Sequence, residues 1–360
     1  NSSPNNLYLS QNAESGCKDP SWQIEVNMVA YTGGPRGISG NGGYFQMSGG
    51  SCLGVVDAND PQALYDLVLE HWGNAEKNLM LASDIDLGEF DGETPEGTCK
   101  HNHVPLAFSN AHVIFDGNGF WVKNLCYVHD VASGAMTQPV GFFGSIEKHE
   151  AVNVNFKNVR MVVSDSRADR DVAEAGADYY PVGALAGYVW MSTVRRVSFQ
   201  DVDIQAPVAG ALAGNISAST VSDITANDDI LIHNVLELSN EKGNFAGSTL
   251  FDWGSRYSVF LGGIAGFAFQ VDFKNLTVRA KVQDSSSAST PSALGGVAGL
   301  YAYAGYADAT VDSSSIVLDN IKLDSSDSGK AYTKIAGGSA MGGIFGEAGI
   351  TYGPNGPFSS

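Results

Sequence analysis

Two stretches carry carboxylates densely enough to raise the question of glycoside cleavage. Asp165, Asp169, Arg170 and Asp171 fall in one short polar segment, and Asp223, Asp228 and Asp229 in another. Two carboxyl groups across a sugar bond supply acid and base or nucleophile, and a lyase needs a basic residue with a calcium site. Neither stretch recurs at equivalent positions along the chain, as a groove-lining site built on repeats would, so both read as solvated acidic loops. The run "SDIDLGEFDGE" offers Asp84, Asp86, Asp91 and Glu93 as oxygen ligands, but without the spacing of an EF-hand loop. "CKHNH" sets Cys99, His101 and His103 at alternating positions, on one face of an extended strand. Zinc would need a fourth ligand or an open position, and no second pair completes the set. HExxH, GxSxG, Walker and dinucleotide-binding patterns are absent. No catalytic constellation and no cofactor are expected, and calcium on the acidic runs is the one ion left open.

Recognition is better provided for than catalysis. Tyr179, Tyr180, Phe245, Phe251, Trp253, Tyr257 and Tyr332 lie among polar residues in stretches with no strand pattern. Aromatic rings on polar loops can stack on sugars or anchor a partner protein. Asn1, Asn215 and Asn275 head N-x-Ser/Thr sequons. Asn275 falls in a motif expected to face a core ladder, so the sequons are read as chance.

Something must position these loops, and composition narrows what it is. The chain has 360 residues, 43 of them Gly, and only 16% are charged, which favours strands and turns over a helical bundle. A net charge of −19 argues against nucleic acid or anionic lipid as partner. No apolar run is long enough to insert in a membrane. Cys17, Cys52, Cys99 and Cys126 all precede residue 127, so two disulfides of open pairing are expected to fasten the N-terminal region in an oxidising compartment. The first residue is Asn, consistent with a leader already removed.

An internal repeat dominates the rest. A glycine-framed word recurs as "VGFFGSI", "VGALAGYV", "AGALAGNI", "LGGIAGFA", "LGGVAGLY" and "MGGIFGEA". Its large apolar slot is Phe142, Leu185, Leu212, Ile264, Val297 and Ile344 in turn. A second word, apolar-x-Asn/Asp-apolar, places Asn124, Asn158, Asp201, Asn234, Asn275 and Asn320 in what should be a single amide ladder. Alternating apolar residues around it carry the period of a strand with one buried face. Gly183 and Gly210 are 27 residues apart, close to one coil of a stacked structure in which each coil buries the next.

These words resemble the GLUG motif of bacterial surface and secreted proteins, including non-catalytic regions of some immunoglobulin-A-cleaving metallopeptidases. The stretch from Asn59 to Phe90 and "HVIFDGNGFWVKNL" from His112 are similar to the opening of the same folds. The resemblance covers roughly residues 55–350 and implies an all-β, right-handed parallel β-helix, or solenoid. Asp60, Pro61, Leu64, Leu67, Val68 and Trp72, ended by Gly73, predict one short α-helix over about 60–72. It would sit in a disulfide-fastened N-terminal cap spanning 1–75, and the β-helix would occupy 76–360. "GITYGPNGPFSS" at the C-terminus has no comparable cap.

Extra chain falls mainly at 164–181, 239–259, 284–293 and 324–336, each after an Asn-type strand and before the next glycine word. Stacking would bring these insertions to one edge. The expected function is therefore binding or structural, in an adhesin-like module at the bacterial cell surface or outside the cell. The partner would be a glycan or a surface protein, met on the loop edge, or other copies of the chain assembled head-to-tail into a fibre. A polysaccharide lyase or glycosidase on the same fold is the alternative.

Overall fold

The computed structural model describes residues 43–47, 52–55, 79–81, 84–87, 99, 102–107, 114–166, 179–236, 238, 259–286, 292–305, 318–323, 334–336 and 340–352. These residues form an all-β structure whose one helical element is a single 3-10 turn, Val131–Ser133. The helix expected over 60–72 lies outside the described residues.

Twenty-five strands form three sheets of thirteen, five and seven strands. From residue 182 the chain visits them in rotation. Val182–Gly183 belongs to the five-stranded sheet, Ala186–Trp190 to the seven-stranded sheet and Thr193–Gln205 to the thirteen-stranded sheet. Val208–Gly210, Ala213–Ser217 and Thr220–Asn234 repeat the circuit. Successive circuits pair parallel and in register: Gly183 faces Gly210, Ala186 faces Ala213, and Phe156 faces Phe199. Offset by 27, the two "GALAG" words are therefore neighbouring rungs. Among the described residues, only the N-terminal end departs from parallel pairing, where Gly43–Met47 pairs antiparallel with both Cys52–Val55 and Leu79–Leu81.

The core runs along the inside of the three sheets. Phe142, Leu185, Leu212, Ile264 and Val297 are all fully buried, forming the apolar ladder that the glycine words predict. Its last member, Ile344, is 39% exposed because no described strand stacks beyond it. Each such side chain contributes about 1.5–3 kcal/mol on burial. Phe156 stacks on Phe199 with ring centroids 5.6 Å apart.

Glycine is required where the five- and seven-stranded sheets fold sharply against each other. A Cβ on Gly183 would lie 2.3 Å from the Cα of Ala213, and one on Gly214 would lie 2.3 Å from the backbone nitrogen of Val182. Backbone meets backbone at both points, so no side-chain rearrangement can make room.

The Asn/Asp word resolves differently from the expected single ladder. Asn124, Asn158 and Asp201 form one column, joined by Asp229, all with φ between 47° and 60°. Asn275 instead aligns with Asp223, Arg196 and Asn153, a second left-handed column with φ between 53° and 56°. Asn320 occupies the same register position as Asn275. Asn234 belongs to neither column; it is buried at a strand end, and its Nδ2 donates to Asp284 Oδ1 at 3.1 Å. Circuits of the long sheet bend at one or both of these positions, and the same short word serves either bend. Both columns face outward, so Asn275 is exposed and not part of a core ladder.

A third left-handed column, Lys148, Met191, Ala218 and Gln270, turns the chain from the seven-stranded to the thirteen-stranded sheet. These residue types lack the short amide or carboxyl group that eases this geometry. Buried serines just beyond the turn take up backbone donors, as Ser192 Oγ accepts from His149 N and Ser219 Oγ from Ser192 N, both at 3.1 Å.

Candidate functional site

The loop corner is defined by strand ends. Segments 165–181, 235–258 and 285–291 each connect the thirteen-stranded sheet to the five-stranded sheet, as does the short join 206–207, while 131–139 leads to Val140, which makes a single bridge to Val182 of that sheet. The fourth predicted insertion differs: Leu318–Leu323 and Lys334–Ala336 both pair with Asp272–Asp284. That extra chain, 324–333, therefore interrupts a strand, and 334–336 belongs to the sheet.

The first rung of the corner is described in detail. Trp121–Asp130 ends in the 3-10 turn, which Asp130 caps by accepting from Ala132 N at 3.0 Å. The same carboxylate accepts from Ser166 Oγ at 2.5 Å and from Ser166 N at 3.0 Å, tying one circuit to the next. The Ser166 hydroxyl, then the two backbone donors, hold Asp130 below the usual carboxylate range. His129 Nε2 donates to the Gly134 carbonyl at 2.8 Å, and its ring stacks against Tyr127. Burial pushes the Tyr127 phenol up to about 12, so it stays protonated.

Of the predicted binding aromatics, Tyr179 and Tyr180 are described. Tyr179 is 1% exposed, with its hydroxyl donating to Asp165 Oδ2 at 3.3 Å, so its ring belongs to the core and is not available to a ligand. Tyr180 is half-buried against the core, and its backbone N–H meets Met136 Sδ at 3.4 Å. Both brace the base of the corner. Phe245, Phe251, Trp253, Tyr257 and Tyr332 lie outside the described residues.

The carboxylates go to ordinary partners. Asp84 meets Lys123 Nζ at 2.6 Å and accepts from Trp121 N, while Asp86 accepts from Asn124 Nδ2 at 2.5 Å. Asp223 accepts from Asn275 Nδ2 at 2.9 Å, and Asp228 and Asp229 are exposed on the same strand. Asp169, Arg170, Asp171, Asp91, Glu93 and His101 lie outside the described residues. Among the described residues, no group of three or more His, Cys, Asp or Glu side chains is arranged to hold a metal ion.

Cys99 is bonded to Cys126, which removes it from any metal site. Cys17 lies outside the described residues, and Cys52 begins the strand Cys52–Val55. Beside the disulfide, His103 is buried, stacked on Phe142, with Nε2 donating to the Phe142 carbonyl at 3.1 Å. Its Nδ1 has no hydrogen-bond partner among the described residues. Burial, only partly opposed by the carbonyl, lowers its pKa to about 4.

One polar constellation was not foreseen. Asp203 accepts from Arg160 Nη1 at 3.4 Å and pairs with His233 Nε2 at 2.9 Å. These residues are 43 and 30 positions apart, and neither spacing matches the 27-residue cycle. Only the stacking of unequal circuits brings them together, so no local pattern could have flagged them. The set is a charge-paired rung on the outer face, without a described nucleophile beside it.

Comparison of the chain with protein-family models, curated proteins and solved structures gives no match in any of the three.

Proposed function

We propose that this chain is a non-catalytic, extracellular or cell-surface protein, a right-handed parallel β-helix of the GLUG kind that binds through its loop corner. One observation carries the reading. Circuits of unequal length keep their strands in register, and three of the four long connections join the same two sheets. A scaffold that absorbs variable loops at one corner suits recognition, because the loops change without disturbing the ladder beneath them. The ligand is a glycan or a surface protein, met chiefly by the aromatics of 239–259. The stiff stack supplies reach, and the apolar rung at Met341 and Ile344, 56% and 39% exposed, supports head-to-tail assembly into a fibre.

Electron microscopy of native material tests the assembly: long, axially periodic particles are expected, and single short particles at every concentration would defeat it. Binding to glycan and host-surface arrays, lost on Trp253→Ala with Tyr257→Ala at unchanged melting temperature, tests the corner. Binding that survives both changes would remove the ligand site from it.

A further inference from the structure

The seven-stranded sheet carries a second arrangement, away from the loop corner. Along Ala186–Trp190, Tyr188 and Trp190 point outward and are half-buried. At the same register positions the next rung has Asn215, half-buried, and Ser217, buried, and the rung after that has Phe267, half-buried, and Phe269, buried. An aromatic rung, an amide-hydroxyl rung and a second aromatic rung therefore lie side by side. The two aromatic rungs are roughly 9–10 Å apart, twice the spacing between neighbouring strands. Phe267 leans on Phe260 at 6.2 Å, and Lys148 Nζ sits 5.4 Å from the centre of the Trp190 ring, so both walls are braced.

The polar rung is oriented from within. Ser217 Oγ donates to Asn215 Oδ1 at 3.1 Å. That contact takes up Asn215 Oδ1, and the N–H groups of Asn215 Nδ2 have no partner among the described residues.

Charge narrows the occupant. Lys123, Lys157, Arg195 and Lys274 lie on the thirteen-stranded sheet, whereas no strand of the seven-stranded sheet contains Lys or Arg. Glu147 flanks Trp190 in the register. A polyanion would find no cation on these strands, and at their margin Glu147 beside Lys148, whose ammonium already sits over the Trp190 ring. An acyl chain would strand the Asn215 amide. A neutral sugar chain fits, because its C–H faces stack on aromatic rings and its hydroxyls accept from an amide.

We infer that the outer face formed by Tyr188, Trp190, Asn215 and Phe267 binds a neutral carbohydrate chain, with Asn215 Nδ2 donating to a sugar hydroxyl. This rests on the sheet geometry alone and is separate from the corner site. The experiment is isothermal titration of the full chain with cellohexaose, xylohexaose, mannohexaose and laminarihexaose, with oligogalacturonate as the charged control. At least one neutral oligosaccharide should bind, and Asn215→Ala and Trp190→Ala should each weaken it tenfold or more at unchanged melting temperature. Trp253→Ala and Tyr257→Ala should leave that affinity intact. Absence of neutral binding, a preference for oligogalacturonate, or full affinity in folded Asn215→Ala would overturn the inference. Loss in the loop variants alone would also overturn it while upholding the corner. A glycan covalently attached to Asn215 in native material, seen by intact mass, would overturn it too, because Nδ2 would already be occupied.

Discussion

Acid should weaken this protein through His103 before most of its carboxylates are protonated. The side chain is buried against Phe142, its Nε2 is committed to a carbonyl, and its Nδ1 has no hydrogen-bond partner among the described residues. In the unfolded chain it takes a proton near pH 6.5, but in the folded chain only near pH 4. Between those values the unfolded state holds more protons, so stability falls as pH falls. The contribution from neutral burial is complete above about pH 6.5 and drains away toward pH 4. At about 1.4 kcal/mol per pH unit the full effect is about 3 kcal/mol, of which about 2 kcal/mol has gone by pH 4.5. Urea unfolding of the wild type and of His103→Gln at pH 7 and pH 4.5 measures it. Glutamine retains a donor for the Phe142 carbonyl and does not titrate. The wild type should lose about 2 kcal/mol more than the variant over this interval. Parallel losses, or an imidazole resonance of His103 titrating near 6.5, would refute the reasoning.

Three further outcomes follow from the fold. Gly214→Ala should destabilise by about 3 kcal/mol or more, as overpacking against rigid backbone does. Gly144→Ala should be far milder, because its nearest neighbour would be 3.2 Å from the new Cβ; thermal melts of the two compare them directly. Met191→Gly should stabilise by about 0.5–1 kcal/mol, since relief of a left-handed backbone outweighs the added freedom of the unfolded chain. Met191 is 52% exposed with φ 49°, so little packing is lost, and a lower urea midpoint in the variant would contradict this. Reducing Cys99–Cys126, which closes a separation of 27 residues, should cost about 3–4 kcal/mol, and equal midpoints with and without reductant would count against it.

The candidate sites divide by how much depends on neighbouring circuits. Tyr179 sits beside a polar insertion and reads as a loop aromatic, yet it fills the core, because a ring flanking a strand start can turn either way. Tyr188 and Phe267 were visible only as members of glycine words, Asn215 there and as a sequon read as chance, and Trp190, one residue past its word, carried no signal. Their partnership is lateral, across rungs separated by 27 residues in one step and 52 in the next, so it has no local signature. The Asn/Asp word misled for a related reason. A short residue that eases a left-handed bend is recognisable in sequence, but which of two bends it occupies depends on the register around it.

The sequence alone determined the repeat, the apolar slot and the need for glycine at a crowded fold, because these are demands each circuit makes on its own residues. Period, side-chain volume and missing Cβ atoms suffice to read them. Tertiary structure decided which outward residues share a face, that Asn275 is exposed, that Asn234 is buried beside Asp284, and that Arg160, Asp203 and His233 meet. Those outcomes depend on how circuits of unequal length align, and alignment is fixed by backbone pairing between strands that the chain visits far apart.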